Sequence, residues 1–336
     1  MTYYPATRMF RKVVLVLVVA VVLSHVGKFL TAMRVFQHVY NHVPGTCGFV
    51  EGVEQGSEDI VLISSGQAFI SSGLVPQGLV LDPVYFSFVP KVFVFDYRNP
   101  SNGAKKSTSC QGVLRKTSYP TVSAYSKTHA KGHSEDRVEI FRFDANSNSL
   151  IHVKSVTHSL LYSVNDVVAT GQESFYATND KYSTGMYSKM TETWLLLSWS
   201  NVVYYNKGGA TIVAGGFKCA NGVNLSPDGN VVYVADSIKG VVTVFHRQRD
   251  NTLRRSHDIS LHTSLDNICV DATSGDLWIG AHPKPIEFAE HLKNASHPCG
   301  SQVLRVKNPA GEAARITEVY SDDGRSGLWG SNIGWT

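Results

Sequence analysis

The sequence predicts an all-β fold of the β-propeller type behind one N-terminal hydrophobic helix. Beyond the amino end, a short β-rich run, a glycine-containing turn and a second β-rich run recur four times, while helical periodicity is hard to find. The copies are spaced irregularly by several tens of residues, which fits the blades of a propeller. A β-sandwich is the alternative, but its strands would not show this repeated unit.

The amino end predicts a membrane-anchoring helix within residues 1–40. Basic residues at positions 8, 11 and 12 precede an apolar run from Val13 to Leu23, which Val26 to Leu30 could extend. No convincing small-residue cleavage site follows, so we favour a retained signal anchor with its basic tip in the cytoplasm over a cleaved signal or a buried core helix. The propeller, residues 41–336, would then be luminal or extracellular, either anchored or secreted with the segment retained.

The composition is that of a folded protein without a nucleic-acid partner. Of the 336 residues, 43% are hydrophobic, which is enough for a sizeable core. The 31 basic and 27 acidic residues, with a net charge of +4, are scattered rather than gathered into the dense basic runs that nucleic-acid binding needs. We therefore expect no nucleic-acid partner.

The predicted luminal or extracellular placement is an oxidising compartment, which bears on the cysteines and on one sequon. Five cysteines are an odd number, so at least one is unpaired or joins another chain, and none forms a metal-type C-x-x-C. Asn294 begins the sequon N-A-S, which predicts a glycan in a luminal chain. The cysteines are Cys47, Cys110, Cys219, Cys269 and Cys299.

Each repeat begins with polar oxygen donors. In chain order the copies are "EDIVLISSGQAFISSG", "NDVVATGQESFYATND", "NGVNLSPDGNVVYVADSIKGVVTVFHR" and "DNICVDATSGDLWIGAHP". The first strand of every propeller blade lines the axis, so these starting positions converge at the channel mouth. Carboxylates and amide carbonyls without His or Cys suit a hard cation, and this mixture suits calcium. The alternative is that the same residues cap turns between blades.

These stretches resemble the serum paraoxonase/arylesterase family of six-bladed propellers, from about Cys47 to about Ser331. The resemblance implies calcium-dependent hydrolysis of lactones, aryl esters and some organophosphates. It also implies two calcium ions. The residues that match the catalytic calcium ligands are Glu58, Asn165, Asn221, Asp266 and Asn267, and those that match the structural calcium are Asp59 and Asp166.

Hydrolysis in this family needs a base beside the metal. Calcium can polarise the ester carbonyl while a histidine takes a proton from water. The Pro-His-Gly segment that opens the family's second blade, and that holds one of two proposed catalytic histidines, has no counterpart here. Only the second histidine does: His129, with His133 as the alternative, and either could instead be a solvated loop residue. Because this region is short, we expect the second blade to lack its inner strand.

Two further departures concern the chain ends and the pocket wall. The chain stops at the first strand of the sixth blade, so the last blade is predicted to be incomplete. In the family a disulfide ties the counterpart of Cys47 to a cysteine near the carboxyl end; that partner is absent, which leaves Cys110 and Cys299 as candidates. Cys219 replaces the family's usual aromatic residue and should change substrate fit. Three residues are candidates for channel lining or ordinary blade packing: Asp180, Tyr182 and Trp199.

Two functions follow from the resemblance. The first is a membrane-tethered or secreted calcium-dependent hydrolase that acts on small esters or lactones, with a lipid surface met through the N-terminal segment. The second is a non-catalytic, membrane-anchored assembly factor or chaperone for other membrane proteins. The base separates the two, because hydrolysis requires a histidine within reach of a calcium-bound water.

Overall fold

The computed structural model describes the chain in several segments. The described residues are 4–45, 50–53, 60–63, 67–72, 91–99, 101, 103–108, 113–116, 121–130, 133–144, 149–294, 296–311 and 313–325. Within these ranges nearly all of the regular structure after the first helix is β-strand, in agreement with the predicted fold class.

The first element is a long helix, α1 (Tyr4–Ala32). Its segment Met9–Ala32 is long and apolar enough to cross a membrane, by length and composition alone. Apolar side chains such as Leu15 and Val21 are exposed, so α1 is not a buried core helix. The chain then turns back onto the β-domain, where His42 exchanges backbone hydrogen bonds of 2.7 and 2.9 Å with Ser321.

The strands form five four-stranded antiparallel sheets, each a meander in chain order. The first sheet contains β1 (Ile60–Ile63), β2 (Gln67–Ser72), β3 (Lys91–Asp96) and β4 (Ala104–Thr108). The second contains β5 (Val113–Lys116), β6 (Thr121–Ala130), β7 (His133–Asp144) and β8 (Ser149–Val156). Because each strand pairs with the next one along the chain, every sheet has the build of a propeller blade.

Two short helices lie in the connections between strands of the remaining three sheets. The third sheet contains β9 (Val164–Ala169), β10 (Phe175–Asn179), β11 (Ser200–Asn206) and β12 (Gly209–Phe217), with α2 (Met186–Trp194) between β10 and β11. The fourth contains β13 (Ala220–Leu225), β14 (Val231–Asp236), β15 (Val241–Arg247) and β16 (Leu253–Ser260). The fifth contains β17 (Ser264–Val270), β18 (Leu277–His282), β19 (Ser301–Lys307) and β20 (Arg315–Asp322), with α3 (Pro285–Lys293) before β19.

The hydrophobic core lies between successive sheets. Ile140 of the second sheet belongs to one buried cluster with Phe175 of the third. Tyr176 of the third sheet clusters with Val232 of the fourth, and Tyr233 of the fourth clusters with Ile268 of the fifth. Strands such as β14 and β18 are therefore buried on both faces, which explains why they are continuous apolar runs rather than alternating patterns. This face-to-face stacking confirms the propeller-type fold.

The second sheet differs from the prediction. The inner strand was expected to be missing, but β5 occupies that place and pairs with β6 from Val113↔Tyr125 to Lys116↔Val122. It is only four residues long, half or less of its neighbours β6 to β8. Four residues of antiparallel pairing lie within the normal range of strand lengths, so a shortened segment can still complete the sheet. The predicted incomplete sixth blade falls on residues 326–336, outside the described residues.

Helices α2 and α3 are elements that the sequence pattern does not predict. Helix α2 has no side-chain cap, and its one buried residue, Glu192, accepts backbone hydrogen bonds from Tyr182 (3.2 Å) and Ser183 (3.0 Å). Helix α3 begins with Pro285 at its first position, where proline is favoured. Both helices are nine residues long, too short to be stable without tertiary contacts, and their periodicity is correspondingly weak.

Candidate metal centre

The first strands of three successive sheets begin at one place. Strand β9 packs against β13, and β13 packs against β17. At Gly222 an added Cβ would lie 2.6 Å from the Asp266 backbone oxygen and 2.9 Å from the Asn267 Cα, so only glycine permits this approach. The predicted catalytic-calcium residues Asn221, Asp266 and Asn267 therefore lie on touching segments.

The same irregularity of pairing occurs at all three strand starts. In β9 the register shifts between the pairs Thr178↔Asp166 and Asn179↔Val164, which leaves Asn165 extra. In β13 it shifts around Asn221 and Gly222, and in β17 it shifts around Asp266 and Asn267. A β-bulge leaves a residue unpaired in the ladder and re-aims its side chain. Three equivalent bulges place the predicted ligands at equivalent positions around the inner strands.

Asn221 has a buried oxygen that suits a cation. Its side-chain Oδ1 accepts no hydrogen bond within the described part of the chain. A buried carbonyl oxygen without a donor normally costs about 1–3 kcal/mol. Amide carbonyl oxygens are regular calcium ligands, so a bound cation would satisfy this atom.

The Asp266 carboxylate is held in place by a residue that sequence reasoning missed. Its Oδ2 lies 2.8 Å from Nε2 of His282, and the imidazole is buried and stacked 3.5 Å from the ring of Phe288 in α3. The Nδ1 atom of His282 has no partner among the described residues. His282 ends β18, and the ladder pairs it with Ser264, two positions before Asp266. One sequence signal could have identified His282: it directly follows the apolar run "LWIGA".

Asp166, predicted for the structural calcium, joins two sheets. It is 1% exposed, and its carboxylate accepts hydrogen bonds of 2.7 Å from the backbone N–H of Val167 and of Val223. A carboxylate oxygen has two lone pairs, so an oxygen that accepts one hydrogen bond can also bind a cation. The other predicted ligands Glu58 and Asp59 lie outside the described residues, as do Cys47 and Cys110.

The two candidate base residues, His129 and His133, lie on either side of the turn that joins β6 and β7. The ladder pairs Ala130 with His133 and His129 with Ser134, at the end of the second sheet where β5 begins. Strand β6 lies against β9. The backbone N–H of Val164, next to Asn165, donates a 2.8 Å hydrogen bond to Asp136 in β7. The hairpin is therefore adjacent to the start of β9.

A cavity lies beside β7 and the connection that leads to β9. Its volume is about 300 Å³, and its walls come from β7, the connection to β9 and the segment before α2. The lining is mixed polar and apolar and includes Asp136, His158, Leu161 and Tyr162. A space of this size admits a small organic substrate.

Four residues were predicted as candidates for the pocket or channel wall: Cys219, Asp180, Tyr182 and Trp199. Burial raises the pKa of the Cys219 thiol to about 12, so it stays protonated near neutrality and is a poor nucleophile. Tyr182 and Trp199 are about half exposed, with ring centroids 6.0 Å apart. Asp180 accepts a hydrogen bond from Ser163 and lies 3.8 Å from the Lys189 ammonium. These three lie on the segments that flank α2, outside the blade cores.

Comparison with known proteins gives consistent matches over nearly the whole chain. The arylesterase family model matches residues 38–335. Serum paraoxonase/arylesterase 1 of Mus musculus is 35% identical over 92% of this chain and 88% of its own length. Serum paraoxonase/lactonase 3 of Oryctolagus cuniculus is 36% identical over 96% and 93%. A solved TolB-type protein of Agrobacterium tumefaciens, 12% identical with a TM-score of 0.50 over 83% of each chain, shares the fold alone.

Proposed function

The chain belongs to the arylesterase family, and on that basis we propose that it is a calcium-dependent hydrolase of aryl esters and lactones. The relatives carry paraoxonase, arylesterase and lactonase in their names, which supports the reaction class. The observation that carries the proposal is the set of three β-bulges at the predicted ligand positions. Bulges are frequent beside functional sites, where they re-aim a side chain, and three of them at equivalent strand starts fit a shared ligand.

The residues present fit calcium. Among the described donors, the unpartnered buried Oδ1 of Asn221 and the carboxylate of Asp266 are oxygen ligands of the kind calcium prefers. The residues that would hold the catalytic ion are Glu58, Asn165, Asn221, Asp266 and Asn267, and those that would hold a second, structural ion are Asp59 and Asp166. When bound, calcium supplies a Lewis acid that stabilises the oxyanion of the attacked carbonyl.

His129, with His133 as the alternative, is the proposed base that takes a proton from the attacking water. Its support is the position of the β6–β7 hairpin beside β9. His282 has a different role in this proposal: its Nε2 orients Asp266, as an outer-shell partner does for a metal-binding carboxylate. Hydrolysis thus uses one histidine to move a proton and another to hold a ligand.

Three single variants separate these roles. We expect His129→Gln to lower kcat for phenyl acetate about 100-fold at any calcium concentration, because general base catalysis contributes at least that much. His282→Gln should instead weaken calcium affinity about 10-fold or more, with activity recovered by excess calcium. His133→Gln tests the alternative base on the same hairpin: it should stay near wild type if His129 is the base, and a 100-fold loss there instead would assign the base to His133. Full kcat in the His129 variant would remove it as the base.

The N-terminal helix supports a membrane-facing placement. His25 in α1 contacts the C-terminal end of α2, with its Nε2 2.9 Å from the Trp194 carbonyl oxygen. Around α2 large apolar side chains are exposed, among them Tyr187 and Met190. We therefore propose that residues 1–40 meet a lipid surface and that residues 41–336 are luminal or extracellular, anchored or secreted with the segment retained. Asn294 is exposed after α3, as a glycan site requires.

The second candidate is a non-catalytic, membrane-anchored assembly factor or chaperone for membrane proteins. The exposed apolar surfaces of α1 and α2 favour it, because such surfaces suit lipid and protein partners alike. It shares the calcium site with the first candidate but uses the metal for stability. It therefore differs in one measurable respect, the absence of hydrolysis.

A further inference from the structure

Lys181 is a buried cation beside the candidate metal centre. It follows β10 by two residues and is 7% exposed. Its ammonium nitrogen Nζ lies 2.9 Å from the backbone oxygen of Lys218, three residues before Asn221. The side chain therefore crosses from the third sheet to the segment that leads into the fourth sheet's ligand.

The ammonium of Lys181 forms no ion pair with a described carboxylate. An ammonium has three N–H donors, and in the described part of the chain this one has the single acceptor on Lys218. No carboxylate oxygen of a described residue lies within the 4.0 Å of an ion pair with it. Burying a charge without an ion-pair partner is costly, so an acidic group bound at this position would be favourable.

Two described carboxylates near Lys181 have other partners. Asp180 accepts a hydrogen bond from Ser163 and is paired with Lys189. Asp236 accepts backbone hydrogen bonds from Lys218 (2.9 Å), Cys219 (3.3 Å) and Lys239 (3.1 Å). Neither carboxylate forms an ion pair with Lys181, although Asp180 precedes it in the chain and Asp236 binds the backbone N–H of Lys218.

The ammonium lies near the proposed reaction site. Lys218, the acceptor of the ammonium, and Cys219 both donate backbone hydrogen bonds to Asp236, directly before Ala220 and Asn221 open β13. Lys218, which receives the ammonium, precedes Cys219 directly. Lys181 thus binds the segment that leads into this centre, next to the position where a small thiol replaces a ring.

We propose that Lys181 binds a carboxylate carried by the substrate, so that the preferred substrates are anionic esters or lactones with a carboxylate remote from the scissile carbonyl. This inference rests on the proposed hydrolase function. The carboxylate would supply the missing acceptors of the ammonium, and the small Cys219 side chain would leave space for it. Lys181 acts here as a specificity-determining and positioning residue.

A matched pair of aryl acetates tests the proposal in the full-length protein with calcium. The substrates are 4-acetoxybenzoate, which is anionic, and 4-acetoxybenzamide, which is neutral and similar in shape. We expect Lys181→Met to lower kcat/KM for the benzoate about 10- to 100-fold, mainly through KM, since one charge-assisted contact is lost. The value for the benzamide should change less than about 3-fold.

The control variant is Lys189→Met, which removes the same charge nearby, where the ammonium is paired with Asp180. It should leave the ratio of the two substrates unchanged. Equal losses on both substrates in Lys181→Met, or an unchanged ratio, would overturn the proposal, because a merely structural lysine would not discriminate between them.

Failure of the hydrolase proposal is distinguishable from failure of this one. If the wild-type protein hydrolyses neither acetate, calorimetric titration with 4-hydroxybenzoate still tests the anion site. Binding by wild type with an affinity at least 10-fold weaker in Lys181→Met would support the site without the reaction. Equal binding by both proteins, or binding by neither, would overturn it.

Discussion

Replacing Asp266 with alanine is expected to abolish calcium binding at the catalytic site and to lower hydrolysis at least 100-fold. Asp266 contributes a carboxylate at the bulge of β17, and its Oδ2 is bound to the buried His282. The variant loses the proposed ligand and also leaves His282 without its described partner at Nε2. Calcium titration by calorimetry, together with phenyl acetate hydrolysis, measures both effects.

Asp276→Ala is the matched control for this variant. Asp276 is a buried carboxylate of the same sheet, bound by the Arg305 guanidinium at 2.6 and 2.9 Å and directly before β18. Its removal should reduce stability but leave calcium affinity within about 3-fold of wild type. Wild-type calcium affinity in the Asp266 variant would remove the proposed centre.

The second large effect is expected at Asp166. Asp166→Ala should lower the free energy of unfolding by about 2–4 kcal/mol, because the buried N–H groups of Val167 and Val223 lose their acceptor and the third and fourth sheets lose a direct tie. Urea unfolding in excess calcium measures the change. The loss should grow further if the carboxylate also binds the structural ion.

An exposed carboxylate calibrates this result. Glu290→Ala removes a side chain that pairs with Lys293 on the surface of α3 and should leave the unfolding free energy close to that of wild type. A loss at Asp166 no larger than that of Glu290 would contradict the inter-sheet role.

The blades and their polar starts could be predicted because they depend on local signals. The turn at "SPDGN" and the apolar run "VVYVAD" specify β13, β14 and the hairpin between them within one short segment. The places of Asn165, Asn221 and Asp266 at the starts of β9, β13 and β17 followed from the repeat.

The rest depends on tertiary contacts that leave no periodic signal. The bulges are visible only in the ladder register, and α2 is stabilised by contacts such as those of Glu192 with the preceding turn. His282 and Lys181 become site residues through partners that are distant in the chain or on another sheet. Short β5 was missed because four ordinary residues carry little pattern.

Calcium-dependent hydrolysis by the full-length protein tests the central claim most directly. Phenyl acetate and an aromatic lactone are offered first with calcium, then after chelation, and then after calcium is restored. The proposed function predicts hydrolysis of both that disappears on chelation and returns with calcium. Hydrolysis that is indifferent to chelation would contradict the metal centre, and a folded, calcium-binding protein without activity would contradict the hydrolase in favour of the assembly factor.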